Sequence, residues 1–96
     1  MVEIRETAHF SDWLLHLRDS RAKAIVLVRI DRLRVGLLGD VKPIGEGVSE
    51  LRINYGPGYR IYFTRRGRDI IFLLAGGDKN TQNRDIKKAL IMAKSV

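Results

Sequence analysis

The stretch Glu50–Lys79, ELRINYGPGYRIYFTRRGRDIIFLLAGGDK, decides the fold. It divides into three consecutive β-strands joined by two tight turns. Successive side chains of a strand point to opposite faces. In the first strand Leu51, Ile53 and Tyr55 share one side, and Glu50, Arg52 and Asn54 share the other. In the second, Tyr59, Ile61 and Phe63 oppose Arg60, Tyr62 and Thr64. One face has the composition of a core. The other carries two arginines and a tyrosine, where a merely solvated face would mix lysine, glutamate and threonine.

The turns determine which residues meet, because paired residues must share a face. A loop of Gly56, Pro57 and Gly58 is expected to pair Tyr55 with Tyr59, Ile53 with Ile61 and Leu51 with Phe63. It would also set Asn54 opposite Arg60 and Arg52 opposite Tyr62. Gly58 suits the left-handed position that closes such a hairpin. With Arg66-Gly67 as a two-residue loop, the third strand is expected to put Ile70, Phe72 and Leu74 on the core face. Ile71, Leu73 and Ala75 would then join the arginine face. Lys79 would join them too if the strand runs regularly through Gly76 and Gly77; a bulge there would redirect it.

The remaining chain supplies helices. Met1–Glu6 alternates and predicts a short strand. Thr7 is a candidate cap for a helix whose Phe10, Trp13, Leu14 and Leu17 form one apolar stripe. Asp19-Ser20 interrupts the pattern and supplies a new N-cap, and Arg21–Leu37 carries a second stripe of Val26, Ile30, Leu33 and Leu37. Arg29 and Arg32 fall off this stripe, and a solvated outer face is the favoured reading for them. Two helices with so short a break predict an αα-hairpin. Val41–Pro43 suits a short edge strand. Asn80 or Thr81 begins a last helix whose Ile86, Ala89, Leu90 and Ala93 are apolar, and this helix is placed to cover the arginine face. The order β-α-α-β-β-β-α predicts an α+β single domain spanning residues 1–96.

Composition narrows the function. The 96 residues carry a net charge of +7, with arginine outnumbering lysine. A small basic chain of this kind points to nucleic acid, ribosomes or an acidic protein as partner. There is no cysteine, so disulfides and thiolate zinc sites are excluded. No stretch is long enough to span a bilayer. Met1–Arg5 is charged and is followed by no apolar run, which predicts no signal peptide and a cytoplasmic protein.

The candidate chemistry rests on Arg52, Arg60, Tyr62 and Lys79. The histidines, His9 and His16, both lie on the first helix, far from that face. The acids show no metal-ligand spacing, no glycine-rich phosphate loop opens a helix, and no cofactor or metal is expected. A face of arginines suits metal-free RNA cleavage, in which the ribose 2′-OH attacks the adjacent phosphate. Arg52 and Arg60 would hold the nonbridging oxygens. Lys79, crowded by arginines, is a candidate base. Tyr62 would orient the phosphate or exchange a proton. Glu50 is an alternative base, and an ion pair with Arg52 or Arg60 is its favoured role.

Several of these segments together resemble the RelE/ParE toxins: ELR at Glu50–Arg52, GPGYRIYF at Gly56–Phe63, LLAGGDK at Leu73–Lys79 and TQNRDIKKA at Thr81–Ala89. WLLHLRD at Trp13–Asp19 is similar to the addiction-module killer proteins, a HigB-like branch. The resemblance implies a RelE-like fold and a toxin of a type II toxin–antitoxin pair. It implies cleavage of mRNA in the ribosomal A site without metal, with Arg52, Arg60 and Lys79 at the branch's basic positions and Tyr62 a weaker match. It implies a cognate antitoxin of helix-turn-helix type, and contact with operator DNA only through that antitoxin. The chain lacks the sheet histidine of some HigB proteins, so the proton acceptor stays open. ParE relatives inhibit DNA gyrase on the same fold, and a gyrase inhibitor without nuclease activity is the alternative reading.

Overall fold

The computed structural model describes Met1–Val96. The chain runs β1 (Glu3–Glu6), α1 (Ala8–Leu15), α2 (Ser20–Arg34), β2 (Val41–Gly45), β3 (Val48–Ile53), β4 (Tyr59–Arg66), β5 (Ile70–Asp78), a 3-10 turn (Lys79–Thr81) and α3 (Gln82–Ala93). The five strands form one sheet in the order β1-β5-β4-β3-β2. β1 lies parallel to β5, and every other pair is antiparallel. This is an α+β architecture compatible with the RelE-like fold. The edge strand expected at Val41–Pro43 is β2, with Pro43 at the sheet margin where a missing N–H costs least.

Helices cover both faces of the sheet. On one side Phe10 of α1 and Ala22, Val26, Ile30 and Leu33 of α2 pack with Leu51, Ile53, Ile61, Phe63, Ile71 and Leu73. On the other, Ala89 and Ala93 of α3 pack with Val48, Tyr62, Leu74 and Ala75. The helix starts follow from side-chain caps. Thr7 Oγ1 accepts the Phe10 amide at 3.0 Å, and Asp19 Oδ1 accepts the amides of Arg21 and Ala22 at 3.0 and 3.2 Å. α2 stops before Leu37, which is 62% exposed rather than part of the buried stripe. Gly36 takes φ +86° while its amide bonds to the Leu33 carbonyl and the Leu37 amide bonds to the Arg32 carbonyl. That is a Schellman stop, which lifts Leu37 off the helix axis.

The first hairpin is longer than expected. β3 ends at Ile53, and the register sets Ile53 opposite Tyr59, Arg52 opposite Arg60, Leu51 opposite Ile61 and Glu50 opposite Tyr62. The shift relative to the expected pairing is even, so faces are kept while partners change. Its cause is Tyr55, whose amide folds back to the Ile53 carbonyl at 2.9 Å and whose hydroxyl donates to Asp19 Oδ2 at 3.0 Å. The strand therefore ends before Asn54, which turns into the connection.

The second hairpin differs by an odd step, and a bulge then undoes it. Arg66 pairs with Ile70, leaving Gly67–Asp69 as a three-residue loop with Gly67 at φ +64°. This reverses the expected faces: Ile71 and Leu73 go to the α1/α2 core, and Leu74 and Phe72 go under α3. Phe63 pairs with Leu73 but Tyr62 pairs with Ala75, so Leu74 is an unpaired extra residue. The bulge returns Ala75, Gly77 and hence Lys79 to the arginine face. Its cost is a disrupted ladder hydrogen bond, about 1 kcal/mol. The bulge keeps Ile71 and Leu73 in the α1/α2 core while Ala75 and Gly77 face α3.

Gly76 and Gly77 are glycines for want of space. A Cβ on Gly76 would overlap the Trp13 indole on one face, and one on Gly77 would overlap the Asp85 carboxylate on the other. Gly77→Ala is therefore expected to lower stability by about 1–3 kcal/mol through overpacking, measured as a reduced urea midpoint; an unchanged midpoint would contradict this close approach. Asp19 offers a second test. Its amide bonds, the Ala22 amide first, hold its carboxyl below the ordinary value against a smaller opposing effect of desolvation, with Tyr55 assisting. A depressed folded pKa gives stability that is present above the unfolded value of about 3.9 and lost as pH falls through the lower folded value. Asp19→Asn should flatten that acid limb in urea midpoints taken across pH 2–5; an identical limb in both proteins would refute it.

Candidate functional site

The cleft lies where the arginine face runs out from under α3. It has a volume of about 510 Å³ and is lined by Asp40, Arg52, Asn54, Gly58, Arg60 and Lys79 among others. Each wall has a distinct local cause. Arg52 and Arg60 are direct cross-strand partners at the open end of β3 and β4. Gly58, at φ +82°, brings the connection back over them: a Cβ there would stand 3.3 Å from Arg60 Nη1 and 3.6 Å from Lys79 Cβ. Lys79 begins the 3-10 turn, which Asp78 caps by accepting the Asn80 amide at 2.8 Å. Three of the four expected site residues, Arg52, Arg60 and Lys79, thus line one cleft.

Two arginines directly opposite each other repel, so counter-charges must hold them. Glu50, 1% exposed, lies beneath Arg60 with Oε2 3.7 Å from Arg60 Nε. Asp40 Oδ1 accepts from Arg52 Nη2 at 3.3 Å. The Arg60–Glu50 contact is within ion-pair range but too long for a hydrogen bond. Arg60 Nη1 instead donates to the Gly58 carbonyl at 2.9 Å, and its Nε, like that of Arg52, is buried without a partner. A guanidinium carries five N–H donors. Both arginines line the cleft with one of those donors paired on each, an arrangement suited to a phosphate.

Tyr62, expected among the reacting groups, is fully buried, and its hydroxyl donates to Glu50 Oε2 at 3.1 Å. Burial, then the adjacent Glu50 charge and hydrogen bond, pushes its phenol well above the ordinary value. Tyr62 is therefore a protonated donor beneath the cleft. It does not reach the cleft wall. Glu50 takes the ion-pair role favoured for it.

Gln82 drew no reading in the sequence, and Arg29 was expected on a solvated face. Gln82, the first residue of α3, donates to Glu50 Oε2 at 2.8 Å, so α3 is pinned to the sheet under the site. Arg29 of α2 donates to the Arg52 carbonyl at 3.2 Å and to the Leu38 carbonyl at 3.4 Å, rather than facing solvent. No pattern signals either contact, since each joins segments distant in sequence. His9 and His16 stay on or just after α1, and His16 Nδ1 lies 2.8 Å from the Asp12 carbonyl. No three histidine, cysteine, aspartate or glutamate side chains gather as a metal-binding group. No helix is long and apolar enough to cross a membrane.

Comparison with known proteins shows the family of the chain. Residues 12–94 match the family described as phage-derived protein Gp49-like (DUF891). The chain belongs to that family. It is in general a family of RelE/ParE-type toxins paired with antitoxins. An uncharacterized protein of Haemophilus influenzae is 43% identical over 95 residues, covering 99% of this chain and 96% of that protein.

The Glu50 network makes a stability prediction. Glu50→Ala leaves Arg60, the Tyr62 hydroxyl and Gln82 without their shared acceptor. Removing one partner of a buried ion pair costs about 3–5 kcal/mol, to be read from urea unfolding. A loss below about 1 kcal/mol would mean the carboxylate does not organise the site.

Proposed function

We propose that this Gp49-like protein is the toxin of a type II toxin–antitoxin pair and acts as a metal-independent endoribonuclease on ribosome-bound mRNA. The observation that carries the reading is the convergence of Arg52, Arg60 and Lys79 on one open cleft. The motifs shared with the HigB-like killer proteins support the choice of mRNA, as does the net charge of +7. A cognate antitoxin, of helix-turn-helix type on this reading, is the protein partner, and operator DNA is met only through it.

In the reaction the ribose 2′-oxygen forms a bond to the adjacent phosphorus while the bond from phosphorus to the 5′-oxygen breaks. Arg52 and Arg60 neutralise the charge that accumulates on the nonbridging oxygens, and they are held in place before the substrate arrives. The 2′-OH gives up a proton and the departing 5′-oxygen receives one. Lys79 is the cleft residue suited to one of these transfers. Tyr62 acts through Glu50, as a positioning residue for Arg60.

Expression in a bacterial host tests the reading. Wild-type protein should arrest growth and produce new mRNA 5′ ends within codons. Arg60→Ala should lower RNA cleavage about 10²–10³-fold, the loss typical of one preorganised donor, with circular dichroism unchanged. A folded Arg60→Ala variant of undiminished toxicity would overturn the site. DNA damage with intact mRNA would overturn the activity in favour of gyrase inhibition.

A further inference from the structure

The cationic surface does not stop at the cleft. Lys79, which closes the cleft, also borders a second depression formed with Asn80, Thr81, Asn83 and Arg84. Arg84 in turn borders a third, with Lys87, Lys88 and Ile91. The three hollows lie in succession from Arg52 to Lys88, with Lys79 common to the first two and Arg84 to the last two. Along α3, Arg84, Lys87, Lys88 and Ile91 follow the i, i+3, i+4, i+7 rule and so stand on one stripe. All four are exposed.

The stripe has an unusual sign balance. From Lys79 to the chain's last residue the only acid is Asp85, and it is 2% exposed, receiving the Thr81 hydroxyl and lying 3.5 Å from Arg84 Nε. The other nearby acid, Asp78, is used in capping the 3-10 turn. A helix face that serves only solubility mixes both signs. Here every exposed charge on the helix is positive, and the residues between are amides, a hydroxyl and an apolar side chain. Cations spaced along the helix, with the buried Asp85 beside Arg84 as the one acid among them, match the repeating charge of a polynucleotide backbone.

We infer that Arg84, Lys87 and Lys88 form a phosphate-binding track for single-stranded RNA that leads out of the Arg52–Arg60–Lys79 cleft along α3. The inference rests on the nuclease reading of the cleft and adds a substrate-binding surface to it. Nucleotides flanking the scissile bond lie along α3, and their phosphates replace counterions on these side chains. An acidic protein surface would fit the same charges, but the track opens directly from the cleft at Lys79, which favours the strand that the cleft holds.

The test uses the full chain and a fluorescent 2′-O-methyl RNA oligonucleotide, which lacks the attacking hydroxyl and survives the measurement. Affinity is followed by anisotropy from 0.1 M to 1 M salt. Each phosphate contact on a single strand adds about 0.7 to the slope of log affinity against log salt. Arg84→Ala/Lys87→Ala/Lys88→Ala should therefore lower the slope by about 2, and between 1 M and 0.1 M salt the wild type should gain about 100-fold more affinity than this variant. The charge-preserving variant Arg84→Lys/Lys87→Arg/Lys88→Arg should bind as the wild type does. Arg18→Ala/Arg21→Ala/Arg32→Ala, which removes equal charge from α2 and the connection before it on the other side of the sheet, should change the slope by less than about 0.5. An α3 variant with wild-type slope, or a loss equalled by the α2-side control, overturns the track. If Arg60→Ala still weakens binding in that case, the cleft reading stands and only the track falls. If wild-type protein does not bind the RNA, the track falls, while the cleft reading is decided separately by the toxicity of Arg60→Ala. Binding of a polyglutamate peptide that depends on the α3 cations while RNA binding does not would assign the surface to an acidic protein and overturn the proposal.

Discussion

The structure depends on one buried carboxylate. Glu50 sits 1% exposed with a single oxygen, Oε2, facing the Arg60 guanidinium, the Tyr62 hydroxyl and the Gln82 amide. An isolated buried charge would be costly, and these three partners from β4 and α3 offset that cost. The same contacts tie the sheet to its second helical layer and set Arg60 against the cleft. Neutralisation is incomplete by design of the geometry: Glu50 compensates Arg60 from below, and Asp40 compensates Arg52 from the side. Each guanidinium makes a single hydrogen bond and lines the cleft. Stability and anion recognition therefore share one network.

Much of this was legible. Alternation placed Arg52, Arg60 and Glu50 on one face, and an even register shift could not move them off it. The caps at Thr7 and Asp19, the edge position of Pro43 and the cover of the arginine face by the last helix were also readable, because each depends on a local pattern. β5 was not readable in the same way. IIFLLA at Ile70–Ala75 is apolar at every position because the strand is covered on both faces, and such a run contains no alternation to set register. Lys79 was assigned to the right face because two odd register errors, the loop after Arg66 and the bulge at Leu74, cancel in their effect on the face. The double glycine that seemed to threaten the register is instead a point of close packing between Trp13 and Asp85.

What stayed hidden lies in long-range side-chain contacts. Tyr62 looked like a surface group because it shares a face with the arginines. Whether α3 extends over it depends on the length and tilt of that helix, and Ala89 and Ala93 let the helix sit close enough to bury it. Gln82 and Arg29 reach Glu50 and the Arg52 carbonyl across 32 and 23 residues of chain. Patterns of period 2 or 3.6 carry no information at that range.

The central claim is that the cleft cleaves RNA by internal attack of the 2′-OH, with cations supplied by the chain. The chemistry of the cut ends tests it most directly. Translating ribosomes carrying a defined mRNA would be incubated with purified protein in matched reactions, one of them with the mRNA substituted by 2′-deoxyribose at the mapped cut. The account predicts an upstream fragment ending in a 2′,3′-cyclic phosphate, a downstream fragment beginning with a 5′-hydroxyl, and no cleavage at the deoxy-substituted site. Fragments beginning with a 5′-phosphate, or undiminished cutting at the deoxy site, would contradict it.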